Sequence, residues 1–243
     1  MRWWAGALGG SLYALIHDLG RPERFLNMLR VFKVTSPMSV GTWILSAYGP
    51  QAVTAAVVDV AGLSPALGRA ATLGAALTGP AVATYTAALI CDTAVPVWHE
   101  GYREMPFLFA GSAVAAAGGL GLLAAPLSEA APARRAALLG AAVECVAAAR
   151  MERRLGPLAE PLRRSRLLRL GEALSLAGAL TGATVGRRSR IAAVAAGAAL
   201  LAGSACTRFG IFQAGMESAG DPRHTVQPQR RRLAKARAER DLT

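Results

Sequence analysis

Long runs of alanine, glycine and leucine with almost no charge constrain this chain more than any other feature. A water-soluble helix keeps one face wet by placing polar residues at helical spacing, whereas here whole windows of about 20 residues lack such a face. Runs of that length cross the roughly 30 Å hydrocarbon core of a bilayer as helix. Helix is required, because every backbone polar group must be satisfied within its own segment. Seven apolar segments follow, at 3–17, 38–60, 70–95, 106–125, 134–150, 167–186 and 190–212, the first of them short. The sequence therefore predicts an all-α, polytopic transmembrane helix bundle over residues 1–215, followed by a polar, basic tail over 216–243.

The distribution of positive charge orients the bundle. Lys and Arg number 18 in the connections 18–37, 98–105 and 151–169 and the tail after 212, against 6 in 61–69, 126–135 and 187–190. That excess places the first set, and with it the C-terminus, in the cytoplasm. The net charge of +12 is accounted for in this way and does not indicate nucleic acid; the tail is expected to lie on the membrane surface against anionic lipid. Cys91, Cys145 and Cys206 stand far apart in apolar runs and read as small buried hydrophobes, neither disulfides nor metal ligands. Gly178, Gly182 and Gly186, four apart, give the sixth segment a smooth strip for close helix packing.

The connection after the first segment is charged but patterned. Asp18 can close a helix, Gly20 and Pro22 turn the chain, and Ser36 or Ser39 can cap the next membrane helix. The block "DLGRPERFLNMLRVFKVTSPMSVGTW" at 18–43, with "TGPAVATYTAALICDTAVPVWHE" at 78–100 and "RFGIFQAGMESAGDPRHTVQPQR" at 208–230, resembles the NrfD/PsrC family of membrane subunits of polysulfide reductase and related molybdopterin oxidoreductases. The resemblance implies an eight-helix subunit without haem or metal, in the bacterial cytoplasmic (inner) membrane. Such a subunit exchanges electrons between menaquinone or ubiquinone and a 4Fe-4S iron–sulfur subunit, which serves a molybdopterin catalytic subunit. In the family this block follows the second helix, so an N-terminally truncated chain, lacking the first helix and part of the second, is expected.

The third segment carries the most informative pattern. Thr78, Tyr85, Asp92 and His99 recur every seven residues. Seven steps of about 100° return to within roughly 20° of the start, so a continuous helix sets all four on one face. Tyr85 lies mid-segment, where its hydroxyl needs a partner, and an acid at Asp92 is costly in lipid unless paired or wet. On the functional reading, Tyr85, with Thr78, binds a quinone carbonyl, and the resemblance implies a tyrosine of this helix in that role. Asp92 and His99 then relay protons to the cytoplasmic face, although family members often carry an amide where Asp92 stands. Glu144 and Glu172, inside the fifth and sixth segments, are second-tier relay groups, and Asp18, Arg21 and Arg24 form a docking or proton-entry surface. The structural alternative gives Tyr85 a neighbouring backbone carbonyl, Asp92 an arginine such as Arg103, and the two glutamates Arg150 or Arg169. Pro80 and Pro96 are expected to bend the helix.

Three histidines, His17, His99 and His224, offer no pair within a helix for haem. No phosphate loop, nucleophile elbow or acidic cation cage appears. Two other function classes use the same residues: a proton-coupled secondary transporter or channel, and a structural anchor with no working quinone site.

Overall fold

The computed structural model describes residues 32–223 together with Tyr13, His17 and Arg30. The described residues are helical, with no strand among them, and the chain divides into two compact units, Met1–Leu89 and Ile90–Thr243. Tyr13, His17 and Arg30 apart, the first segment, the charged connection to residue 31 and the tail beyond 223 lie outside the described residues. Asp18, Arg21 and Arg24 are among them.

The first unit holds an antiparallel helix pair. Helix α1, Pro37–Ala61, starts as its sequence dictates: Ser36 is the N-cap, its hydroxyl accepting from the Ser39 amide, and Pro37 occupies the first turn. It ends at Gly62, whose φ of 63° is the left-handed conformation that closes a helix at little cost to glycine. Helix α2, Pro65–Cys91, returns alongside it. Gly41 faces the Tyr85 ring, Gly79 faces Tyr48, Gly74 faces Gln51 and Gly68 faces Val58. Pro50 and Pro80 lie inside these helices, each removing one backbone donor.

The second unit is an up-and-down four-helix bundle. Helices α3 (Pro96–Glu100) and α4 (Met105–Ala124) are joined by a 3-10 turn. Helix α5 (Ala131–Leu155) follows, then α6 (Glu160–Arg164), α7 (Arg166–Ala183) and α8 (Arg190–Gly220). Neighbours around the bundle are α4 with α5, α7 with α8, α4 with α8, and α5 with α7. Ser165 and Ser189 cap α7 and α8, accepting from the Leu168 and Ala192 amides. At one end Arg190 donates to the carbonyls of Leu122, Leu123 and Ala125, the last carbonyls of α4, which have no partner inside that helix. At the opposite end Arg154 makes a two-nitrogen contact with Glu104, at 2.7 and 2.6 Å, and the Trp98 indole donates to the Ile211 carbonyl at 2.9 Å.

Backbones approach closely because small residues line the contacts. A Cβ on Gly140 would stand 2.7 Å from the Gly111 carbonyl oxygen, and one on Gly203 would stand 3.0 Å from that of Gly171. Without a hydrophobic drive between helices in lipid, such contact surfaces supply much of the association energy. The outer surface is apolar as well: Leu139, Val146, Leu180 and Ile191 are all exposed. A soluble bundle would carry polar residues there. Among the described residues four helices, α1, α2, α4 and α8, are long and apolar enough to cross a membrane; α5, beside α4, and α7, beside α8, carry charge toward their ends.

Two expectations are corrected. The third apolar segment is not one helix to residue 95, because α2 stops at Cys91 and a new helix starts at Pro96. Proline disfavours helical geometry in the residue before it, and Val95 is extended. Pro96 thus ends one helix and starts another, where the sequence suggested a bend. The glycine strip is not wholly helical. Gly178 and Gly182 meet α8 and α4 from within α7, whereas Gly186 lies in the turn beyond it, where a Cβ would still stand 3.3 Å from the Ala193 backbone of α8.

Candidate functional site

Each of the four long helices of the second unit sends polar side chains to one buried layer. Ser112 comes from α4, Glu144 from α5, Ser175 from α7, and Ser204 and Thr207 from α8. None is more than 7% exposed. Thr207 donates to Glu144 Oε1 at 2.7 Å and Ser112 donates to Ser204 at 3.0 Å. The Ser112 and Ser175 hydroxyls lie beside the carboxyl group, yet Glu144 Oε2 and Ser175 Oγ make no hydrogen bond of ordinary geometry among the described residues. Such atoms are costly when left unpaired in a dry interior, and a water between them would satisfy both. Glycines make room for the layer. A Cβ on Gly171 would sit 2.7 Å from Thr207 Oγ1, and one on Gly203 would sit 2.7 Å from Ser175 Oγ.

A cleft of about 220 Å³ reaches this layer, ample for several waters. Glu144 and Thr207 lie at its inner end. Glu172 and Arg169 of α7, Glu152 of α5 and Arg163 of α6 line it nearer the end of the bundle that carries α3. Glu144 lies 11 residues before Leu155, about 16 Å of helix from that end. The structure thus brings together the two second-tier glutamates of the sequence reading. Neither pairs with an arginine as the structural alternative required: Glu144 has Thr207, and Glu172 forms no ion pair among the described residues.

Thr78 and Tyr85 share the face of α2 in the first unit. Thr78 donates to the Gly74 carbonyl of its own helix at 2.9 Å. The Tyr85 ring is half-buried against Gly41, and no hydrogen bond of its hydroxyl occurs among the described residues, so the expected backbone partner is absent there. Asp92 and His99 leave the stripe. Asp92 falls in the break after Cys91 and His99 in α3, both exposed. Arg103 contacts the Tyr102 hydroxyl and makes no ion pair with Asp92. The one-face geometry of all four residues is therefore replaced by two residues on α2 and two in the segment between the long helices.

The family model described as "Polysulphide reductase, NrfD" matches residues 4–139, more than half of the chain. The chain belongs to the NrfD family. As an NrfD protein with apolar membrane-length helices it is a multi-pass membrane protein. The match covers the "DLGRP" and "TGPAVATYTAALICDTAVPVWHE" blocks and with them Thr78, Tyr85, Asp92 and His99. Glu144, Glu172 and the 208–230 block lie beyond it. No curated protein and no solved structure matches the chain.

Sequence reasoning missed Ser112, Ser175, Ser204 and Thr207. The available signal was small residues seven apart on three segments, Ser112 with Gly119, Gly171 with Gly178, and Gly203 with Gly210, with Ser175 and Thr207 four residues after Gly171 and Gly203 on the same faces. That pattern marks contact faces, but it does not say which helix meets which.

Proposed function

We propose that this NrfD chain is the quinone-interacting membrane subunit of a molybdopterin oxidoreductase complex. It exchanges electrons between menaquinone or ubiquinone and a 4Fe-4S subunit in the bacterial inner membrane, with its C-terminus in the cytoplasm. Family membership supports the assembly. The observation that carries the mechanism is the buried Glu144, with an unpartnered oxygen, at the inner end of a polar cleft.

A quinone needs hydrogen-bond donors for its carbonyl oxygens in apolar surroundings. The Tyr85 hydroxyl, without a hydrogen-bond partner among the described residues and on a half-buried ring, fits that need, and Thr78, whose proton is given to its own helix, keeps lone pairs to accept. When bound, the quinone supplies two-electron, two-proton chemistry. The chain's own residues hold its head group and move protons. Glu144 and Glu172 hold protons along the cleft, and Asp92 and His99 exchange them with water in the break after α2. Asp18, Arg21 and Arg24, outside the described residues, are assigned by the sequence to a docking or proton-entry surface. The helix break suits this division, because an exposed acid and imidazole exchange protons with water readily and need no buried partner.

Isolation of the intact complex from native membranes, through a tag on the C-terminal tail, tests this reading. Co-purifying iron–sulfur and molybdopterin subunits with quinol-dependent turnover support it. A chain that purifies alone and moves protons without quinone turnover is a transporter instead.

A further inference from the structure

The polar layer has different surroundings on its two sides. Toward the end with α3, Glu144 meets the cleft, walled by Met151, Leu162 and Ile211 and dotted with charge. Toward the end with Arg190, the core turns wholly apolar. Ala141 and Ala137 follow on α5, Ala115 and Leu122 on α4, Ala179 on α7, and Leu200 and Ala196 on α8, all at most 2% exposed. They form one contiguous cluster, and the buried polar side chains described for this unit, Ser112, Glu144, Ser175, Ser204, Thr207 and Ser218, all belong to the layer or to the α3 end. Backbones meet closely there: a Cβ on Gly118 would lie 2.6 Å from the Ala137 nitrogen, and one on Gly197 would come within 2.8 Å of the Leu123 side chain. A layer packed so tightly has no room for a water chain, which needs both volume and polar partners.

We propose that the second unit is a one-sided proton inlet: Glu144 takes up and releases protons only through the cleft, and the alanine–leucine layer beyond the hydroxyls seals it from the opposite face of the membrane. This deepens the relay role given to Glu144 above and rests on it. The hydroxyls set the route's inner terminus. Ser175 Oγ, buried and unpartnered beside the carboxyl, is the last acceptor before the dry layer. The charged and titratable groups facing Glu144 are Cys145 and Glu152 on α5, Arg163 on α6, Arg169 and Glu172 on α7 and Arg208 on α8. All except Arg208 line the cleft.

Reaction with dicyclohexylcarbodiimide, which modifies protonated carboxyl groups in apolar surroundings, reads this directly. The intact complex is reconstituted into sealed vesicles, the pH of each side is set independently, and modification of Glu144 is measured by peptide mass spectrometry. A cysteine introduced by Asp221→Cys, at the end of α8 that carries the cleft, reports through an impermeant thiol reagent which side faces out. Modification of Glu144 is expected to rise several-fold when pH is lowered on the Asp221 side and to ignore the other side. Modification that follows the opposite side, follows both, or follows neither overturns the proposal, the last because Glu144 would then be a sealed structural acid. The readout needs no turnover, so a wrong quinone assignment leaves it intact. Conversely, one-sided labelling with normal quinol turnover in Glu144→Gln refutes the relay while sparing the inlet.

Discussion

Replacing Thr207 by valine removes the donor to Glu144 Oε1 at nearly constant volume and takes from a carboxyl group that is 3% exposed the one hydrogen bond it makes among the described residues. An unsatisfied buried group costs about 1–3 kcal/mol, while exchanging both partners for apolar groups of similar shape is close to neutral. A double-mutant cycle on Thr207→Val and Glu144→Met therefore has a large expected coupling. The single change Thr207→Val is expected to destabilise the second unit by about 1–3 kcal/mol, and its effect in a Glu144→Met background to fall below roughly 0.5 kcal/mol. Reversible unfolding in mixed micelles, followed by far-UV dichroism, measures all four corners. The glycines sharpen the test. A Cβ on Gly171 would stand 2.7 Å from Thr207 Oγ1, so Gly171→Ala pushes the hydroxyl off the carboxyl and should reproduce part of the Thr207→Val loss. Additivity of Thr207→Val and Glu144→Met within about 0.5 kcal/mol would refute the hydrogen-bonded layer.

Three further outcomes follow from the same geometry. Gly140→Ala is expected to cost about 1–3 kcal/mol in the same assay, since its Cβ would meet the Gly111 oxygen at 2.7 Å and backbone atoms that are slow to yield. Gly79→Ala, with only Tyr48 at 3.8 Å, should be neutral or stabilising by up to about 1 kcal/mol; equal losses at the two sites would contradict the packing. Arg154→Leu strips Glu104 of its partner and should speed amide exchange across residues 96–104 while sparing the middle of α4, a pattern that uniform exchange would disprove. Tyr85→Phe removes a hydroxyl with no hydrogen-bond partner among the described residues, so stability should hold within about 0.5 kcal/mol while quinol oxidation falls; unchanged oxidation would take Tyr85 out of the site.

The membrane segments were legible because lipid imposes one rule on each helix separately. Ser36 could be read as a cap from its own neighbours, and the helix pairs fell close to the apolar runs. The heptad of Thr78, Tyr85, Asp92 and His99 misled because the period assumes an unbroken helix, and Pro96 imposes a boundary that outweighs the pattern at Val95. Glu144 was visible as an acid in an apolar run, but its environment was not. Thr207, 63 residues away, becomes its donor only through the pairing of α5 with α8 across the core, and arginines close in sequence looked the more obvious partners. The dry layer was hidden for a related reason. Alanine and glycine fill every segment of this chain, so composition alone does not distinguish the sealed half of the bundle from the half that admits water.

The account turns on a protonatable carboxyl group at Glu144 serving quinol chemistry. Steady-state menaquinol oxidation by the intact complex carrying Glu144→Gln is the most direct measurement, because the amide keeps the shape and a hydrogen bond to Thr207 but gives up no proton. Turnover is expected to fall by about a hundredfold or more, the usual scale for losing a positioned acid–base group, with the complex still assembled. Turnover within about twofold of the unaltered complex would contradict the account.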